Sequence, residues 1–151
     1  MKDICIYLGD LTHDSITLSS EFFPLNIGYI AAYAKKQYGD HARVRLFKYI
    51  PDLEAAIEKE PPDILGLSNY PWCHNVDMAM LEGLARRRPE AIRIMGGPNF
   101  PHDYPSQQVF MSQRPLLDAY VYLDGEIGFA NITGAVLESR DLCEARERLH
   151  V

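Results

Sequence analysis

Five short apolar runs, each separated from the next by a segment of helical character, limit what this chain can fold into. They are Ile4-Cys5-Ile6-Tyr7-Leu8, Val44-Arg45-Leu46-Phe47, Ile64-Leu65-Gly66-Leu67-Ser68, Ile92-Arg93-Ile94-Met95 and Ala119-Tyr120-Val121-Tyr122. Short runs with little polar alternation suit strands that are covered on both faces. Pro24 opens a helix that runs to Gly39, a suitable C-terminal cap. Pro51-Asp52 opens a short helix carrying Leu53, Ala56 and Ile57 inward, and Pro61-Pro62 stops it. Asn75 is the expected cap of the next helix, in which Val76, Met80 and Leu84 recur every fourth residue until Pro89. A fourth helix is expected around Ser106 to Ser112, and a last one near Gly128, with Phe129, Ile132 and Val136 on one face.

Strand and helix in alternation predict a doubly wound α/β domain of the flavodoxin-like (Rossmann-like) kind. It has a five-stranded parallel sheet with right-handed crossovers and helices on both faces, for which the order 2-1-3-4-5 is chosen over other doubly wound orders. Ligands of such sheets bind beyond the carboxyl ends of the strands, at the switch point beside the first strand. The 151 residues, 47% of them apolar, suffice for one folded domain. A balance of 15 basic against 21 acidic residues, net −6, argues against nucleic-acid or anionic-membrane partners. No apolar run approaches the length of a bilayer span, and the first residues read as a strand, not a secretion signal. Cys5, Cys73 and Cys143 form no CxxC pair, so neither a disulfide framework nor a zinc site is expected, and a reducing cytoplasm is the expected compartment. The domain is expected to occupy residues 1–138, with the charged segment 139–151 opening a linker to something further.

The unusual residues gather where the carboxyl edge should be. The third strand runs into Ser68-Asn69-Tyr70-Pro71-Trp72-Cys73-His74-Asn75, the fourth into Gly96-Gly97-Pro98-Asn99, and the fifth into Asp124-Gly125-Glu126. Paired glycines allow positive φ and the close approach of a bulky ligand. Gly28, followed by Ala31 and Ala32, makes one face of the first helix thin. Together these describe a slot between helix and sheet. Each feature also has a plainer account: Gly96-Gly97 as an ordinary turn, Gly28 as a close helix contact, Trp72 as a core anchor. Arg86-Arg87-Arg88 answers a helix dipole, Tyr29 and Tyr33 suit packing, and His13, His41, His102 and His150 have no paired-ligand spacing.

In order along the chain, these stretches resemble the cobalamin-binding domain that precedes the barrel of B12-dependent radical S-adenosylmethionine (SAM) enzymes. Pro24-Leu25-Asn26-Ile27-Gly28-Tyr29-Ile30-Ala31-Ala32-Tyr33 is similar to that family's PLGLGYLAAYL. Pro62 to Ser68, with Tyr70 and Trp72, resembles its PDIVGFSCYVWN, and Gly96-Gly97-Pro98 matches its GGP. Tyr120 to Glu126 is similar to its DYVVxGEGE, with Leu123 in place of the usual glycine. The resemblance covers about residues 3 to 138. It implies that the corrin lies across the carboxyl edge and threads its nucleotide tail into the slot. Asn26 and Gly28 would border the tail, Ser68 and Asn69 would meet it, and Gly96, Gly97 and Pro98 would let it approach the backbone. Tyr70 and Trp72 would wall the ring, and Gly125 and Glu126 would meet the tail or a corrin amide. Gly97 is expected to accept a branched side chain without loss of the fold.

The DxHxxG motif of methionine-synthase-type cobalamin domains is missing. Its histidine would fall near Phe23 or Pro24, and Asp10-Leu11-Thr12-His13 has the wrong spacing. The resemblance therefore implies base-off cobalamin without a protein histidine on cobalt. No CxxxCxxC is present either, so SAM and a [4Fe-4S] cluster would belong to a C-terminal radical SAM barrel, fused or in a partner chain. Two rivals stand beside this reading. A flavodoxin-like regulatory module of receiver type should end its third strand in aspartate, where this chain has Ser68. A nucleotide-binding Rossmann enzyme should carry G-x-G-x-x-G in its first loop, which reads GDLTHDS.

Overall fold

In the computed structural model, which describes residues 3–12 and 23–149, all five apolar runs are strands. They are β1 (Ile4–Thr12), β2 (Ala42–Tyr49), β3 (Ile64–Ser68), β4 (Ile92–Gly96) and β5 (Ala119–Val121). They pair in parallel in the order β2-β1-β3-β4-β5, as the sequence predicts. The helices are α1 (Leu25–Tyr38), α2 (Ile50–Lys59), α3 (His74–Arg87), α4 (Tyr104–Ser112), α5 (Gly125–Glu138) and α6 (Leu142–Leu149). Alternation along β1 divides the interior in two, because successive side chains of a strand leave on opposite faces. Ile4, Ile6 and Leu8 pack with Ile27 and Ala34 of α1 and Phe129 and Val136 of α5. Cys5 and Tyr7 pack with Leu53 and Ile57 of α2 and Leu81 and Leu84 of α3. A fully buried leucine or isoleucine contributes roughly 1.5–3 kcal/mol relative to exposure, so these two layers hold the sheet between its helices.

Several boundaries differ from the sequence reading. The third helix begins at His74, with Cys73 rather than Asn75 in the capping position. The amide of Cys73 already donates to the Tyr70 carbonyl (3.1 Å), so the chain winds before Asn75 is reached. The last predicted helix, α5, starts at Gly125 and not near Gly128. A Cβ on Gly125 would lie 3.0 Å from Ile30 Cδ1, and one on Gly128 2.8 Å from Val121 Cγ1. These glycines let α5 settle on its neighbours, so the thin helix face belongs to α5 more than to α1.

The charged segment beyond Ser139 contains α6, and it is packed. Leu142 and Ala145 are buried, and Arg146 meets Asp118 at 2.9 Å while donating to the carbonyls of Pro89 and Ala91, both at 2.7 Å. Asp118 also receives the backbone amide of Arg93 (2.8 Å) and its guanidinium (3.3 Å). That pairing explains an arginine inside an otherwise apolar strand, since a buried charge persists only when it is matched. Among the described residues no helix is long and apolar enough to cross a membrane.

Candidate functional site

The carboxyl ends of β3, β4 and β5 open on a cavity of about 270 Å³ between the sheet and helices α1 and α5. Leu8, Ile94, Val121 and Phe129 give it an apolar interior. Of the residues singled out in the sequence, Asn26, Ser68, Tyr70, Gly96, Gly97, Gly125 and Glu126 line it. So do Tyr29, Ile30, Leu123 and Asp124, which the sequence reading did not select.

The polar end of the cavity is built around Asn26, in the first turn of α1. Its amide nitrogen donates to Ser68 Oγ at 2.9 Å and to Tyr70 Oη at 3.3 Å, and its oxygen accepts from the amide of Ile27 at 2.8 Å. Asp10, on β1, is half-buried beside it. Burial pushes the Asp10 carboxyl up, and its hydrogen bond with Asn26 offsets part of that shift. Burial also raises the Tyr70 phenol. Ser68 accepts from Asn26, so its own hydroxyl hydrogen can be offered to a ligand.

Four predicted site residues lie off the cavity lining. Trp72 is 72% exposed and stacks on Tyr70 with centroids 4.9 Å apart and planes 10° from parallel. It is therefore not a core anchor, and it reaches the site only by extending the Tyr70 ring. A Cβ on Gly28 would make an ordinary 3.6 Å contact with Phe23, so that glycine does not thin the wall of the slot. Pro98 follows the lining glycines but is not part of the lining. Asn69 is fully buried behind them. Its amide donates to the Gly96 carbonyl (2.6 Å), and its side chain joins Asp77 (2.8 Å) and Asn99 (3.0 Å). Its part in the site is to fix the loop that borders the cavity.

Gly97 has φ +116°, and a Cβ there would stand 2.9 Å from the Asn69 carbonyl oxygen. Only glycine suits that backbone, so the expectation that a branched residue leaves the fold intact is overturned. Gly96 is freer; its Cβ would approach the Val121 carbonyl at 3.3 Å.

Behind the glycine loop lies a second polar group. Asp77 is fully buried, and burial pushes its carboxyl up to about 7, against the hydrogen bonds from Asn69 and Cys73. Its Oδ1 has no hydrogen-bond partner among the described residues. Burial raises the Cys73 thiol to about 11, which leaves it protonated and a poor nucleophile. Burial and the nearby Arg114 lower His74, which faces Asn69 and receives Arg114 Nε at 3.3 Å. None of the described histidines lines the cavity. His13 and His150 fall outside the described residues. Among the described residues no group of three histidines, cysteines or carboxylates could hold a metal ion.

No protein-family model matches the chain. Over 115 residues, 74% of its length, the chain is 29% identical to the cobalamin-dependent radical SAM methyltransferase TokK of Streptomyces tokunonensis. The match takes in only 16% of that protein. Among solved structures, the methanol:cobalamin methyltransferase complex MtaBC of Methanosarcina barkeri superposes with a TM-score of 0.58 at 16% identity. That superposition covers all of this chain and 53% of the other. A CheY-like protein, tadZ of Pseudomonas aeruginosa, superposes at 0.54 and 14% identity, over 95% of this chain and 94% of that one. These superpositions establish a flavodoxin- or CheY-like fold.

Proposed function

We propose that this chain is a cobalamin-binding domain serving a radical SAM catalytic domain, fused beyond α6 or carried by a partner chain. The observation that carries the reading is the cavity at the carboxyl edge, apolar within and bordered by Ser68, Gly96, Gly97 and Gly125, in a chain homologous to a cobalamin-dependent enzyme. The residues fit part of such a cofactor. At about 270 Å³ the cavity lies just below the ~300–1,000 Å³ of drug-sized pockets, and suits a nucleotide tail rather than a whole corrin. Ser68 would bond the tail, and Asn26 would hold the serine oxygen in place. Gly96 and Gly97 would admit the tail close to the backbone, with Gly125 and Glu126 at its mouth. Tyr70 and Trp72, already stacked, would wall the ring at the exposed edge.

Bound cobalamin would supply methyl carriage or related radical chemistry, while this domain supplies orientation and burial. Because the sequence lacks the DxHxxG motif, the cofactor would be held base-off without a histidine of this chain on cobalt. The receiver-like alternative is weakened at β3, where Ser68 stands in place of the aspartate that such a module needs. The visible spectrum of hydroxocobalamin mixed with the chain tests the proposal. A base-off spectrum that His13→Ala leaves unchanged is expected. A histidine-ligated spectrum would refute the ligation claim, and no spectral change or co-elution would refute the domain assignment.

A further inference from the structure

Among the described residues Leu123 alone, glycines aside, holds a positive φ, 63°. A Cβ in that region crowds the following carbonyl, so an apolar residue with no local hydrogen bond to offer is costly there. Packing in the free protein does not repay the cost, because Leu123 is 78% exposed. The residue nevertheless lines the cavity, between the end of β5 and Gly125 at the start of α5, and exposed Tyr29 lines it too. A strained backbone and an exposed leucine at one position, on the mouth of one cavity, ask for a common cause. Left-handed backbone is the conformation that sets this side chain at the mouth, and an apolar ligand surface is what would reward it.

We infer that Leu123 is a ligand-contact residue, whose side chain closes on the apolar surface of cobalamin held at the cavity mouth; this rests on the cofactor reading given above. Leu123→Gly and Leu123→Asn both suit left-handed backbone and both remove the apolar contact. Two quantities decide the matter on the 151-residue chain: its melting temperature without ligand and its affinity for hydroxocobalamin. Both variants should melt no lower than the parent, and the asparagine variant higher by roughly 2–6 °C. Both should bind hydroxocobalamin at least fivefold more weakly. Lower melting in both variants would mean that Leu123 packs usefully in the free protein, and would overturn the inference. A loss of affinity smaller than fivefold would do the same, and would assign the exposed leucine to a protein surface instead. If the parent chain itself takes up no hydroxocobalamin, the cofactor reading falls first and this inference with it.

Discussion

Ser68 ends β3 with its oxygen held by Asn26, and that 2.9 Å bond, with the Asn26–Asp10 contact, joins α1 to the sheet across the polar end of the cavity. Replacing Asn26 with alanine removes the donor and leaves Ser68 free to turn. A loss of about 1 kcal/mol in stability is expected by urea denaturation, with weaker hydroxocobalamin binding. Gly97 behaves differently. Gly97→Val must force φ away from +116° or push against Asn69, so a destabilisation of about 1–3 kcal/mol is expected. A native-like melting temperature in that variant would contradict the backbone account. Asp77 gives a pH dependence. An unfolded aspartate ionises near pH ~4, whereas burial holds the folded group up to about 7. The folded state therefore binds the extra proton between those values, and stability falls as pH rises through that window. Asp77→Asn should flatten the fall and raise stability at pH 8, by on the order of a few kcal/mol at most. Parallel pH–stability curves for parent and variant would show that Asp77 does not titrate there.

At the scale of elements, the strands were legible because each is an apolar run of its own; the helices between them implied parallel pairing, while the order was chosen among the doubly wound ones and agrees with the structure. The glycine loops that border the cavity were legible for the same local reason. The polar network behind them was not, because Asn69 and Asp77 meet only once α3 has packed on the sheet. Asp10 entered the sequence reading only within the mis-spaced Asp10-Leu11-Thr12-His13 stretch, because its contact with Asn26 depends on α1 docking beside β1. The glycines of α5 misled for a physical reason: glycine weakens an isolated helix, yet here it permits close contact with Ile30 and Val121. Helix α6 escaped notice because its attachment is sparse in sequence, two buried apolar residues and one arginine. The buried group Arg93–Asp118–Arg146 ties that helix to β4 and the start of β5. Asp118→Ala should cost about 3–5 kcal/mol, because two guanidinium groups lose their counter-charge. Arg146→Ala should cost less and chiefly raise hydrogen exchange in α6. Equal exchange in parent and variant would show that the arginine does not anchor the helix.

For the molecule as a whole, the fold supplies a scaffold and a cavity without a nucleophile–base–orienter set on the cavity lining. Cys5 and Cys73 are buried in different elements and Cys143 is exposed on α6, which is no short cluster motif. The 151-residue chain, given iron, sulfide, SAM and cobalamin under anaerobic conditions, should therefore yield no 5′-deoxyadenosine above background. Turnover by the chain alone would end the carrier-domain account. The central claim, that the carboxyl-edge cavity holds cobalamin, is tested most directly by equilibrium titration of the parent chain and of Ser68→Leu with hydroxocobalamin. Leucine at position 68 fills the polar end of the cavity and removes the hydroxyl. The account predicts saturable binding by the parent and at least tenfold weaker binding by the variant, a loss of about 1.4 kcal/mol or more, with circular dichroism unchanged. No binding by the parent, or equal binding by a folded variant, would contradict it.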